Sequence, residues 1–243
     1  MPELPIQAVI SDMDGVITQT ASIHEAAWKQ VFDDVLQAQS DQPPFTSDDY
    51  RRHVDGKPRL TGIRDFLAAR GLNLPEGAPD DGAERDTVQG LGKRMNEVFL
   101  QKLAQLGVRV FDDSLKAFTR WRGQGLKIAV VSASRNCRPI LRQAGIEEYF
   151  DTIVDGTDLE RQGLTDKTGQ ILEAARRLQI PVTKTALLED ASSGIQAGRR
   201  AGVRRLIGVL RGGDPADLRR AGADQVVTDL TDVRLTPQAA LHP

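Results

Sequence analysis

The chain has 243 residues, 40% of them hydrophobic, enough for one sizeable core or a core plus a smaller domain. Lysine and arginine total 32 against 34 acidic residues, a net charge of -2, so the composition points to no nucleic-acid partner. A single cysteine excludes an internal disulfide and fits a reducing, cytoplasmic compartment; with three histidines it argues against a nitrogen-and-sulfur zinc site, so any metal is expected to be a hard cation on oxygen ligands. No run of about 18 apolar residues is present, so no membrane span is expected. The start, Met1-Pro2-Glu3-Leu4-Pro5, lacks the basic-then-apolar pattern of a signal peptide. A monomer is expected.

Residues 6–11 read as a buried first strand that runs into Asp12-Met13-Asp14-Gly15. Side chains two apart on a strand share a side, so Asp12 and Asp14 are expected to point together, with Gly15 allowing a sharp turn. Ser22 and Glu25 have the spacing of a capping box opening a helix that carries His24, Trp28, Val31 and Val35 on one stripe. That helix is expected to end near Gln39-Ser40-Asp41. Residues 46–106 read as helices and irregular segments: a short helix from Ser47, a loop over 53–59, a helix through Ile63 to Gly71, a surface loop over 74–86, and a helix from Gly92 to Leu106. From about residue 108 helix and strand alternate, the pattern of a parallel sheet. Helices are expected over 113–123, before Gly145, over about 168–178 and from Ser193 to Gly202; strands over 126–132, 152–154, 185–188, 206–210 and 225–227. The fold class is α/β: a doubly wound, Rossmann-like parallel sheet from residues 1–19 and 107–243, with a helical domain over 20–106 inserted after the first strand.

Three strand ends carry polar groups: Asp12 with Asp14, Ser132 with Ser134, and Glu189 with Asp190. In a parallel sheet such ends converge on one edge. The Asp12–Gly15 stretch alone could be an acidic turn after a strand; the coincidence of three polar strand ends is more specific. Carboxylates from two strands suit Mg²⁺, an aspartate beside it suits a nucleophile, and its neighbour two residues on suits an acid/base. Ser132 and Ser134 precede a helix N-terminus, where anions bind. The lysine expected to balance these charges is Lys167.

These motifs resemble those of the haloacid dehalogenase superfamily of phosphotransferases. Asp12, Asp14 and Gly15 match its D-x-D-G, Ser132 its strand-end Ser/Thr, and Glu189-Asp190 its acidic pair. The inserted helices are similar to its cap domain. Within it the chain is similar to the β-phosphoglucomutase-like group: Asp14 to Trp28 reads like D-G-V-I-T-x-T-x-x-x-H-x-x-x-W, Ser132-Ala133-Ser134-Arg135-Asn136 like S-A-S-K-N, and Gly56 and Arg59 match its cap loop. The resemblance implies a nucleophile at Asp12 and an acid/base at Asp14. It implies Mg²⁺ held by the Asp12 side chain, the Asp14 backbone carbonyl and Asp190, with Glu189 beside it. Ser132, Ala133 and Lys167 would bind the transferring phosphoryl group, and Arg59, Arg135 and Asn136 the far end of a sugar phosphate. Thr20 and His24 would couple cap closure to Asp14.

The chain also departs from the group. The lysine segment usually reads K-P-x-P-D, whereas here it is Asp166-Lys167-Thr168-Gly169-Gln170, about two residues shorter. A cap lysine near the His24 position is replaced by Met95, with Lys93 and Arg94 beside it, and the cap loop carries Asp55 and Lys57 around Gly56. Mutase is the first reading and sugar-phosphate phosphatase the alternative; a non-catalytic binding domain would not need both acidic pairs. His24 and Trp28 also fit plain packing, and Cys137 fits a small apolar residue better than a nucleophile.

Overall fold

The computed structural model describes residues 5–38, 42–164 and 166–236. The expectations for Met1–Leu4 and for a helix end near Gln39-Ser40-Asp41 lie outside them. The chain divides into two compact units: residues to Gln19 with those from Arg109 onward, and Thr20–Val108. The second junction falls two residues later than 107 because the returning chain pairs with the departing one only from Arg109: Gln19 N donates to Arg109 O at 2.8 Å and Phe111 N to Ile17 O at 2.9 Å.

The first unit opens with β1 (Ala8–Asp12), all five residues buried. In the helical unit follow α1 (Ala21–Gln37), α2 (Ser47–Asp49) running into a π-helical turn Tyr50–Val54, α3 (Arg59–Ala69) and α4 (Val88–Leu106). The sheet unit resumes with α5 (Asp112–Gly123), β2 (Lys127–Val131), α6 (Cys137–Gln143), β3 (Thr152–Val154), α7 (Gly156–Gln162) and α8 (Lys167–Leu178). It ends with β4 (Thr185–Glu189), α9 (Ser192–Ala201), β5 (Arg205–Val209), α10 (Pro215–Ala221) and β6 (Gln225–Val227). All strands are parallel, in the order β3-β2-β1-β4-β5-β6. Every residue of β1 and β4 is buried, as expected for central strands covered by helices on both faces. Asp12 lies beside Val131 of β2, and Ser11 beside Leu188 of β4, so Asp12, Ser132 and Glu189 end neighbouring strands at one level.

The sheet core gathers Ile10, Val131, Ile171, Leu187 and Ile195. The helical unit has its own core of Trp28, Phe32, Phe45, Phe66, Leu91 and Met95. Phe32 lies 4.1 Å from Phe66 and 5.5 Å from Trp28, ring centre to ring centre.

Several boundaries differ from expectation. The helix from Gly92 starts instead at Val88, because the Thr87 hydroxyl caps Gly90 N. The loop expected over 53–59 is helical at both ends. α7 and α10 were not expected; each has only seven residues, too short for a clear helical period. The Ser22–Glu25 capping box does not form: α1 begins at Ala21, so Ser22 is already helical. Its N-cap Thr20 is itself helical in backbone, where a cap residue needs an extended one. A capping box does form at Thr46, whose hydroxyl accepts from Asp49 N while Asp49 Oδ2 accepts from Thr46 N at 2.9 Å. Thr46→Ala is therefore expected to cost about 1 kcal/mol and Ser22→Ala almost nothing, read by urea unfolding.

Candidate active site

β1 stops at Asp12, so the expected strand alternation does not extend to Asp14. Residues 13–18 instead fold into a turn closed by its own backbone: Gly15 N donates to Thr18 O, and Ile17 N and Thr18 N both donate to Met13 O. Gly15 has φ +81°, which a side chain rarely adopts, and a Cβ there would lie 1.8 Å from Asp190 Oδ2. The turn and Asp190, just past the end of β4, are thus pressed together with no room to spare. Gly15→Ala must push Asp190 aside, and turnover is expected to fall by roughly 10²-fold in a steady-state assay while the chain still folds.

Asp12, Glu189 and Asp190 each offer an oxygen within 4.8 Å of the others. Lys167 closes the group. It donates to Asp12 Oδ1, and its Nζ lies 2.8 Å from Glu189 Oε1. All three side chains of this pairing are buried. Burial pushes the Asp12 carboxyl well up; Lys167 opposes this, while Glu189 and Asp14 reinforce it. Burial pulls Lys167 down, but the carboxylates of Asp12 and Glu189 outweigh it and hold the ammonium above its ordinary value. Asp166 takes an extended backbone and caps α8, accepting from Gly169 N at 3.0 Å. That makes Lys167 the first helical residue.

Glu189 is held from the α9 side as well. Its Oε2 accepts from Ala191 N at 3.1 Å, and a Cβ at Gly194 would come within 2.0 Å of Oε1. At the end of β2, the Ser132 hydroxyl accepts from Ser134 N and the Ser134 hydroxyl from Asn136 N, each at 3.1 Å. These two turns fold Ser132-Ala133-Ser134-Arg135-Asn136 tightly over the strand end; Arg135 is exposed, while Ala133, Ser134 and Asn136 are half-buried. Cys137 follows, fully buried, its thiol pushed well up by burial and by Asp14, Asp155 and Asp12. A thiol so held is packing, not a nucleophile.

The remaining residues lie in the helical unit. Thr20 is buried, and its carbonyl accepts from His24 N at 2.9 Å. The His24 ring stacks on Phe99 with centres 3.9 Å apart. Trp28 is buried in that unit's core, and so is Met95. Gly56 has φ +72°. Arg59 donates to Gly92 O at 3.2 Å and to Asn96 Oδ1 at 2.9 Å, while Lys57 pairs with Asp65 at 2.6 Å.

Sequence reasoning missed Ser114 and Gln170. The buried Ser114 hydroxyl donates to Val16 O at 2.6 Å and so pins the turn after Asp14. No motif marks it, since its partner is 98 residues away.

Comparison with known proteins identifies the family. The haloacid dehalogenase-like hydrolase family matches residues 6–202. The chain is 38% identical to the β-phosphoglucomutase of Mycobacterium bovis over 96% of its own length and 93% of that protein's. It is 30% identical to the phosphorylated carbohydrates phosphatase of Thermotoga maritima, over 91% of this chain and 94% of that one. The crystal structure of β-phosphoglucomutase from Clostridium difficile shares the fold, with a TM-score of 0.75 at 22% identity over 94% of this chain and 93% of that one. Among the described residues no helix is long and apolar enough to cross a membrane. With its acidic strand ends, its lysine between them and a family match over most of its length, the chain belongs to the haloacid dehalogenase-like hydrolases, as an enzyme of their phosphoglucomutase-like group.

Proposed function

We propose that the protein transfers a phosphoryl group on a sugar phosphate through an aspartyl-phosphate at Asp12, as a β-phosphoglucomutase converting β-glucose 1-phosphate to glucose 6-phosphate. The observation that carries the chemistry is the buried contact of Lys167 with Asp12 and Glu189. The 38% identity to a β-phosphoglucomutase over nearly the full length carries the substrate.

The donor set fits Mg²⁺. Asp12, Glu189 and Asp190 are three carboxylates against the one ammonium of Lys167, so the cluster has an excess of negative charge and only oxygen donors. Asp12 and Asp190, with the Asp14 backbone carbonyl, would hold the ion, and Glu189 would stand beside it. The ion supplies charge neutralisation at the phosphate oxygens.

The side chains then divide the work. Asp12 attacks phosphorus: one Asp12 carboxylate oxygen forms the new P–O bond as the bond to the departing sugar oxygen breaks. Asp14 gives its proton to that oxygen, then takes one from the incoming hydroxyl, whose oxygen bonds phosphorus as the Asp12–phosphorus linkage breaks. Lys167 and the backbone around Ser132 and Ala133 hold the transferring oxygens. Arg59, Arg135 and Asn136 would bind the substrate's other end, with Thr20, His24, Trp28 and Gly56 shaping the helical unit for a phosphosugar. The second reading, a sugar-phosphate phosphatase with water as acceptor, is favoured by the 30% identity to a phosphatase and by buried, uncharged Met95 where the group has a lysine. We read the enzyme as a cytoplasmic monomer, its single cysteine in keeping with a reducing compartment.

The test uses β-glucose 1-phosphate, Mg²⁺ and a trace of glucose 1,6-bisphosphate, assayed for glucose 6-phosphate and for free phosphate. Glucose 6-phosphate without phosphate is expected. Free phosphate as the main product would establish the phosphatase instead, and no turnover across a panel of phosphate esters would end both readings.

A further inference from the structure

Lys167 opens α8 beside Asp12, and Gln170 shows how that helix is held there. It lies three residues after Lys167, on the same face of the helix. Its side chain is fully buried. Its Nε2 donates to Ser132 O at 2.7 Å and to Val154 O at 3.3 Å. Val154 O also accepts from Ser132 N at 3.1 Å. One amide therefore ties the helix that begins with Lys167 to the strand end that carries Ser132. Its Oε1 is buried with no hydrogen-bond partner among the described residues, a cost that a leucine or methionine would avoid. The donor end of the amide is the end with partners, and a hydrogen bond fixes direction where an apolar contact does not.

We propose that Gln170 is a positioning residue of the phosphoryl site: its amide sets the spacing between the Lys167 ammonium and the Ser132–Ala133 peptide. The proposal rests on the phosphoryl-transfer reading of that site. Gln170 itself touches no substrate atom.

The test compares wild type with Gln170→Met, which keeps length and volume but loses the donor, using any phosphate ester the wild type turns over. We expect kcat to fall roughly 10- to 100-fold with KM within about 3-fold. The inhibition constant of orthovanadate, which imitates the five-coordinate phosphoryl group, should rise by a factor similar to the loss in kcat. A folded Gln170→Met with wild-type kcat and vanadate inhibition would overturn the proposal and leave the amide a purely structural group. Gln170→Glu provides the rescue. Its acid form can donate to Ser132 O and its carboxylate cannot, so its activity relative to wild type should recover as pH falls; a flat ratio in the folded variant also overturns the proposal. Wild type without turnover or vanadate binding defeats the phosphoryl-transfer reading and this proposal together, whereas an active wild type matched by Gln170→Met defeats the proposal alone.

Discussion

Asp12→Asn is expected to lower turnover by on the order of 10⁴-fold or more while leaving the protein folded. An amide cannot supply the carboxylate oxygen that attacks phosphorus. The fold survives because Glu189, 2.8 Å from the Lys167 ammonium, still pairs with the buried lysine after Asp12 loses its charge. Asp14→Asn should behave differently. Turnover should fall by about 10²–10⁴, the range for losing a general acid/base, while the Mg²⁺ affinity read by titration calorimetry stays near wild type. The reason is that residue 14 would meet the ion only through its backbone carbonyl. Loss of metal binding in a folded Asp14→Asn would show those roles to be wrongly assigned, and wild-type activity in Asp12→Asn would remove the aspartyl-phosphate altogether.

Lys167→Met is expected to cost both activity and stability. Removing one partner of a buried ion pair costs about 3–5 kcal/mol, because the remaining charge stays buried without compensation. Here two carboxylates, Asp12 and Glu189, would be left facing each other. The pH dependence has a definite sign. Burial already raises the Asp12 carboxyl, and losing Lys167 removes what opposes that rise. A carboxyl whose value is raised on folding favours the native state below its unfolded value, and that advantage disappears as pH climbs through the folded value. The deficit of Lys167→Met relative to wild type should thus be small near pH 4 and grow towards neutrality. Added Mg²⁺ should restore part of it, since a cation that binds the folded cluster stabilises it by mass action. Urea unfolding at several pH values, with and without Mg²⁺, reads all three effects. A deficit independent of both pH and Mg²⁺ would mean that the lysine contributes only packing.

The opposite linkage applies to Glu173, far along α8. Its carboxyl is lowered to about 2, chiefly by hydrogen bonds from Arg176 and secondarily from Arg177 against some burial. The stability it contributes is complete above its unfolded value near 4.5 and is lost as pH falls towards about 2. Glu173→Gln should therefore flatten the acid limb of the unfolding curve between those values, as followed by circular dichroism.

What the sequence determined by itself is local. Alternating apolar runs and glycine stops at Gly145 and Gly202 specified a parallel sheet after residue 108, and the motif residues at its strand ends were legible because each sits where a buried run meets a polar one. The polar ends Asp12, Ser132 and Glu189 also pointed to the candidate site, since a parallel sheet presents all such ends on one edge, and the structure makes their strands neighbours. Only the tertiary structure decided how that edge is held. Lys167 needed the Asp166 cap and the Gln170 amide, Gly15 needed Asp190 pressed against it, and the turn after Asp14 needed the Ser114 hydroxyl. Apart from the Asp166 cap, which spans three residues, each of these contacts joins residues far apart in the chain, and pattern reading sees only neighbours. The capping box at Ser22 failed on the local backbone instead: the spacing was right, but the backbone entering α1 was already helical at Thr20. Spacing along a chain states which contacts are possible, and packing against the rest of the fold decides which of them form.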